Sequence, residues 1–183
     1  MFPSKKKNSK KPGGKLFPKK VIKSVYRLNY QDYFDRGFRG IIVDIDNTLV
    51  RDNAPANHKA KKLIKGLKKI GFRTCIVSNS SRDRVRTFAK KVKSPYVYKA
   101  RKPSPKGIQK AMRIMDTDPA STLFIGDQIY TDILAANNAG VYSILTDVID
   151  PEERKQVKIK RFFEKPIIKK INALRKLPLP IKK

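Results

Sequence analysis

Apolar residues follow two rhythms along this chain. Short continuous runs, Gly40-Ile-Ile-Val-Asp44, Phe72–Val77, Tyr96-Val-Tyr98, Thr122-Leu-Phe-Ile-Gly126 and Val141–Leu145, read as buried strands. Between them apolar residues fall three or four apart, at Ala60, Leu63, Ile64, Leu67 and Ile70, at Val85, Phe88, Ala89 and Val92, and at Ile108, Met112 and Met115. Lysine and arginine fill many of the gaps, as on helices with one face on a core. Gly71 is placed to end the first of these helices, and Ser104-Pro105 reads as the N-cap and first position of the third. A short helix over Ile133–Asn138 closes at Gly140. Ahead of the first strand, Phe17, Val21, Ile22, Val25 and Tyr26 predict a short amphipathic helix within 16–28. Strand and helix alternate five times. That order predicts an α/β fold: an open parallel sheet of about five strands with helices on both faces, a three-layer sandwich. Ligands of such sheets bind at the carboxyl ends of the strands.

Composition adds a strong bias. The 183 residues carry 44 Lys+Arg against 15 Asp+Glu, a formal charge of +29. Residues 1–15 are Lys, Ser, Pro and Gly with little apolar content, and read as a disordered basic tail. Residues 16–150 form the expected folded domain. Residues 151–183 form a basic extension with Ile167, Ile168, Ile171, Leu174 and Leu177 at helical spacing; a membrane-surface helix and a helix packed on the domain both fit. Between 21 and 150 every acid is Asp and none is Glu. The usual Glu–Lys pairs of helix surfaces are therefore missing; an anionic partner, a lipid leaflet or nucleic acid, fits the unpaired lysines, and so does a plain solvated surface. One cysteine excludes a disulfide scaffold. The longest stretch free of Asp, Glu, Lys and Arg, Ile133–Thr146, is too short to span a bilayer, and no apolar run follows the basic start as in a signal peptide. The expected location is the reducing cytoplasm.

The candidate chemistry sits at strand ends. Asp44-Ile45-Asp46-Asn47-Thr48 follows the first strand. With Ile45 turned into the core, Asp44 and Asp46 share a side. Two close carboxylates need a divalent cation or a shared proton between them, and hard oxygens suit Mg²⁺. Asp44 could attack phosphorus while Asp46 protonates the leaving oxygen. Ser78 and Asn79 follow the second strand, where a hydroxyl and backbone N–H groups suit a phosphate oxygen. Lys102 precedes Pro103 at the entry to the third helix and can offset phosphoryl charge, although Lys99 and Arg101 compete for that role. Gly126-Asp127 follows the fourth strand, with Asp127 as a metal ligand and Asp132 as a support or a further ligand. Arg82, Arg84 and Arg86 flank the site as a second phosphate-binding group or a solvated helix face. His58 reads as surface and Cys75 as a small buried hydrophobe.

These motifs in this order, DIDNT, a strand-closing Ser, a Lys and GDQIYTD, resemble the haloacid dehalogenase (HAD) superfamily of aspartate-nucleophile phosphatases. The resemblance implies Asp44 as nucleophile forming an aspartyl-phosphate, and Asp46 as general acid/base that also meets Mg²⁺ through its backbone carbonyl. It implies Thr48 and Ser78 as phosphoryl-orienting groups, Lys102 as charge stabiliser and Asp127 as metal ligand. The intervals Thr48–Ser78 and Ser78–Lys102 leave no room for a cap domain, as in the capless subfamily III. FPKKVIKSVYRLN, RGIIVDIDNTLV, FRTCIVSNS, KARKPSPKG and IGDQIYTDILAANNAGVYSIL are similar to the YqeG family of class IIIA phosphatases, over roughly residues 16–175. That family is related to the mitochondrial phosphatidylglycerophosphatase. The implied function is Mg²⁺-dependent hydrolysis of phosphatidylglycerophosphate by a protein bound peripherally to an anionic membrane. The alternatives are a nucleic-acid 3′-end phosphatase and a non-catalytic RNA- or ribosome-binding module.

Overall fold

The computed structural model describes residues 14–150 and Ile167. Its elements are β1 (Lys20–Ile22), α1 (Tyr30–Asp35), β2 (Gly40–Val43), α2 (His58–Ile70), β3 (Arg73–Val77), α3 (Arg82–Val92), β4 (Tyr96–Val97), α4 (Lys106–Met115), β5 (Thr122–Gly126), α5 (Leu134–Asn138) and β6 (Tyr142–Thr146). The strands form one six-stranded sheet of order β1-β6-β5-β2-β3-β4. All its pairings are parallel. β2 lies between β3 and β5, so the chain winds outward from it in two directions. The crevice at its carboxyl end is the topological switch point, where such sheets bind ligands.

Strand alternation divides the core into two layers. Ile41 and Val43 of β2 and Ile76 of β3 pack with Ile64, Leu67, Val85 and Phe88 of α2 and α3, and with Tyr30 and Tyr33 of α1. Ile42, Cys75, Val77 and Phe124 face Ile108, Met112 and Met115 of α4 and Ala135 of α5. Helix limits follow local chemistry. The Asn57 side chain accepts from Ala60 N at 2.9 Å to start α2. Gly71, at φ 113°, ends it as expected, and only a residue without Cβ can approach the Phe34 ring so closely there. At α4 the cap differs from expectation: Pro105 takes the N-cap position, and Ser104 Oγ accepts from Lys106 N at 3.4 Å. No cap domain interrupts the described residues; Thr48–Ser78 holds only a short loop, α2 and β3.

The predicted helix over 16–28 is not formed. Residues 20–22 make the edge strand β1 against β6, and Val25–Arg27 make one 3₁₀ turn. The sheet thus has six strands rather than five. Val21 is buried while its neighbours are half-exposed, and three residues of strand alternation fit a helical period equally well. Lys19 and Lys20 suit an exposed sheet edge, where charge discourages pairing with another chain. Ahead of β1, Asn137 Nδ2 donates to Lys15 O and Phe17 O. The rest of the basic tail and the C-terminal extension lie outside the described residues. Ile167 alone is described there, against a cluster of Val21, Ile129, Ile133 and Leu145.

Ile64 is fully buried on the sheet side of α2, whereas Lys62 is exposed. Ile64→Ala is expected to lower unfolding free energy by about 3 kcal/mol, and Lys62→Ala by less than about 0.5 kcal/mol. Urea denaturation checks both; equal effects would contradict the layer assignment.

Candidate active site

Backbone pairing carries β2 one residue past its formal end, since Asp44 N donates to Ile125 O at 3.0 Å. Asp44 therefore continues the side of the sheet that Ile42 occupies, and Ile45 returns to the α2–α3 layer. The chain then folds over the strand end. The amides of Thr48, Leu49 and Val50 all donate to Ile45 O, at 3.3, 2.9 and 3.2 Å. This tight turn needs a left-handed residue, and Asn47, at φ 57°, supplies it. Tyr26 OH clamps the far side by donating to Leu49 O.

Among the three candidate cations, the structure brings one into the site. Lys99 and Arg101 are exposed, while Lys102 is buried. Lys102 Nζ lies 2.7 Å from Asp44 Oδ1, 2.7 Å from Asp132 Oδ1 and 3.2 Å from Val77 O. Its backbone is gripped by Asn79, whose Oδ1 accepts from Lys102 N at 2.8 Å and whose Nδ2 donates to Lys102 O at 3.1 Å. The Asn79 side chain thus holds the lysine loop, a role that the sequence does not signal. Ser78 is buried beside it, and its Oγ accepts from Ser80 N at 3.1 Å.

A single turn of π-helix, Ile129–Ile133, swings Asp132 back beneath Gly126. Asp132 Oδ2 accepts from the amides of Asp127 and Gln128, both at 3.1 Å, so both of its oxygens have partners. A Cβ on residue 126 would lie 2.5 Å from that Oδ2, so only glycine fits. Thr48 Oγ1 donates to Asp127 Oδ1 at 3.1 Å, which ties the β2 turn to the β5 turn. Carboxylate oxygens of Asp44, Asp127 and Asp132, all buried, lie within 4.8 Å of one another. With Asp132 committed to two amides and an ammonium, Asp44 and Asp127 are the carboxylates placed to hold a cation. Three buried carboxylates against one ammonium leave excess negative charge, and their hard oxygens fit a small divalent ion.

Asp46 turns away from this cluster. Arg84 Nη2 and Asn53 N donate to its Oδ1 at 2.9 and 3.0 Å, and Ser80 Oγ donates to its Oδ2 at 3.2 Å. Its carboxylate is held by α3, Ser80 and the loop after β2, so it does not join the Asp44 cluster, a correction to the shared side that the spacing predicts. Sequence reasoning does not decide between substrate and solvent for Arg84, and it misses this pair. The spacing of Asp46 and Arg84 in the chain carries no signal for it, because the contact depends on how α3 docks.

Charge states follow burial. Removal from water pushes the Asp44 carboxyl up to about 7, against the pull of Lys102, while Asp132 and Asp46 add to the rise. Burial alone would push the Lys102 ammonium down; Asp132 and Asp44 outweigh it and hold the lysine charged. Cys75, deep in β3, is pushed up to about 12 by burial and stays a thiol, as expected for a small buried hydrophobe.

Comparison with known proteins gives the same outline. A family model for the haloacid dehalogenase-like hydrolases matches residues 50–140. The Bacillus subtilis (strain 168) protein named "Probable phosphatase YqeG" is 34% identical over 131 residues, 71% of this chain and 76% of that one. The glyceraldehyde 3-phosphate phosphatase of Pyrococcus furiosus is 24% identical over 139 residues, and the match spans 65% of this chain and 58% of that protein. A solved HAD family protein from Streptomyces avermitilis MA-4680 shares the fold, with a TM-score of 0.51 at 16% identity over 68% of this chain and 78% of that one.

A folded-state pKa of Asp44 raised above its unfolded value makes a stabilising contribution below about pH 4 that is lost as pH rises through about 7. Asp44→Asn escapes that loss. At pH 8 without divalent ions the variant is expected to melt a few degrees above the parent, with the gap closing near pH 4. Paired thermal scans across pH check this; a variant that melts lower at pH 8 would contradict it.

Proposed function

The chain belongs to the haloacid dehalogenase-like hydrolases, as a YqeG-like phosphatase, and we propose that it is a Mg²⁺-dependent phosphatidylglycerophosphate phosphatase working at an anionic membrane surface. The observation that supports the chemistry is the Lys102 ammonium between the Asp44 and Asp132 carboxylates, at 2.7 Å from each. Lys102 occupies Oδ1 of Asp44 and fixes the carboxyl plane. In the proposed reaction an Asp44 oxygen attacks phosphorus, the bond from phosphorus to the leaving oxygen breaks, and Asp46 gives that oxygen a proton. Water then attacks the phosphorus of the aspartyl-phosphate, Asp46 takes its proton, and Asp44 leaves as carboxylate. Lys102 balances charge through both steps. Mg²⁺, held by Asp44, Asp127 and the Asp46 carbonyl, would supply further charge neutralisation at the phosphoryl oxygens. Ser78 and Thr48 lie at the same strand ends, where their hydroxyls would orient the phosphoryl group.

The substrate class rests on access and charge. With no cap domain among the described residues, closure over the reacting phosphate falls to the substrate's own surroundings, which suits a headgroup presented by a membrane. Lys59, Lys61, Lys62, Lys65, Lys68 and Lys69 of α2 are exposed and the helix carries no acid. Arg82, Arg86, Lys90 and Lys91 of α3 are exposed on the same side of the sheet. Such a surface suits an anionic leaflet. No helix among the described residues is long and apolar enough to cross a membrane.

Vesicles containing phosphatidylglycerophosphate are expected to release inorganic phosphate when protein and Mg²⁺ are added, with at least about a thousandfold loss in Asp44→Asn. Preferential turnover of a 3′-phosphorylated oligonucleotide, with the lipid untouched, would overturn the substrate assignment. Undiminished turnover by Asp44→Asn would overturn the nucleophile.

A further inference from the structure

A cavity of about 560 Å³ opens between the loop after β2, α2 and α3. Its walls include Asn53, Pro55, Lys61, Arg84, Phe88 and Lys91. Two of these residues also hold Asp46: Asn53 N and Arg84 Nη2 both donate to Asp46 Oδ1. The cavity is therefore linked to Asp46 through two of its wall residues. In the proposed reaction Asp46 faces the leaving oxygen, so whatever the leaving oxygen carries departs along this side. The cavity is placed as a leaving-group site.

Its chemistry is unusual for a neutral alcohol. Lys61 and Lys91 are exposed and make no ion pair among the described residues. Arg84 shares its charge with Asp46 and lies 5.5 Å over the Phe88 ring, and its buried Nε has no acceptor among the described residues. Asp83, the acid on the wall, is drawn to Arg86 at 3.4 Å. Lys61, Lys91 and the Asp46-paired Arg84 thus line one concave surface with the apolar Pro55, Ala56 and Phe88, a combination that suits a phosphate diester on a short carbon spacer.

We propose that this cavity binds a second phosphate, carried by the leaving group as a diester, and that Lys61, Arg84 and Lys91 make the enzyme select phosphomonoesters that bear one. The inference rests on the assignment of Asp46 as proton donor and deepens the proposed substrate. It distinguishes this chain from a phosphatase of simple sugar or glycerol phosphates, whose leaving groups bring no anion to the cavity. The source of the diester is a lipid headgroup; an oligonucleotide backbone is an outcome of the test.

The test compares two soluble substrates with the full chain and Mg²⁺: glycerol 3-phosphate, and the deacylated headgroup glycerophosphoglycerol phosphate, which differs by carrying the diester. The unmodified protein is expected to favour the headgroup in kcat/KM by about tenfold or more. In Lys61→Ala/Lys91→Ala the ratio should fall toward unity, and in Lys61→Arg/Lys91→Arg it should return. Equal rates in the unmodified protein, or a preference that survives the double alanine change, would overturn the cavity assignment. Hydrolysis of the vesicle lipid together with a surviving preference would remove the cavity assignment alone. A lysine-dependent preference without turnover of the vesicle lipid would support the cavity and remove the membrane substrate. A lysine-dependent preference for a 3′-phosphorylated dinucleotide over the headgroup would overturn the lipid source.

Discussion

Three carboxylates, those of Asp44, Asp127 and Asp132, are buried at the carboxyl ends of β2 and β5 around the single ammonium of Lys102. Buried like charges at this range are costly unless cations offset them. The surrounding structure is arranged to hold them there. Gly126 removes the side chain that would block Asp132, the amides of Asp127 and Gln128 fix its carboxylate, and Asn79 fixes the backbone of Lys102 from the loop after β3. Thr48 joins the two turns. The sheet core supplies rigidity, because β2, β3 and β5 are packed on both faces by apolar side chains. The site is thus a concentration of unfavourable charge that a cation and a phosphoryl group would relieve. Binding is coupled to stability for that reason.

Much of this is legible in the sequence, though unevenly. The central strands are readable because continuous apolar runs set between amphipathic helices suit strands buried on both faces and little else. Asp44 and Asp127 are readable because short motifs fix them at strand ends, where topology does the rest. β1 is not, since three residues of alternation are shorter than one helical turn and the pairing with β6 is remote in sequence. α1 is invisible to periodicity; its Tyr30, Tyr33 and Phe34 pack through an aromatic cluster with Phe38, Phe72 and Tyr142, and no six-residue window shows a helical period. Lys102 cannot be separated from Lys99 and Arg101 by residue type. Burial separates them, and burial there follows from the grip of Asn79.

Two side chains near the expected phosphate site also brace the scaffold. The Asn79 side chain holds Lys102, and Thr48 holds Asp127 before any phosphate arrives. Arg84 goes the other way, from a residue of open role to the partner of Asp46. The common cause is that hydrogen-bond partners across more than twenty residues are set by element packing, which single-sequence patterns do not encode. A site without a cap among the described residues leaves selectivity to its margins. Lys61, Arg84 and Lys91 of α2 and α3 line the cavity where the proposed leaving group would meet them.

The central claim is that Asp44, held by Lys102, becomes covalently phosphorylated during turnover. Acyl phosphates are reduced by borohydride, which converts the modified aspartate to homoserine and leaves free carboxylates untouched. Peptide mass spectrometry after borohydride quench during steady turnover should find homoserine at position 44 and at no other aspartate. Phosphate release with Asp44 unmodified, or homoserine at a different position, would contradict the account.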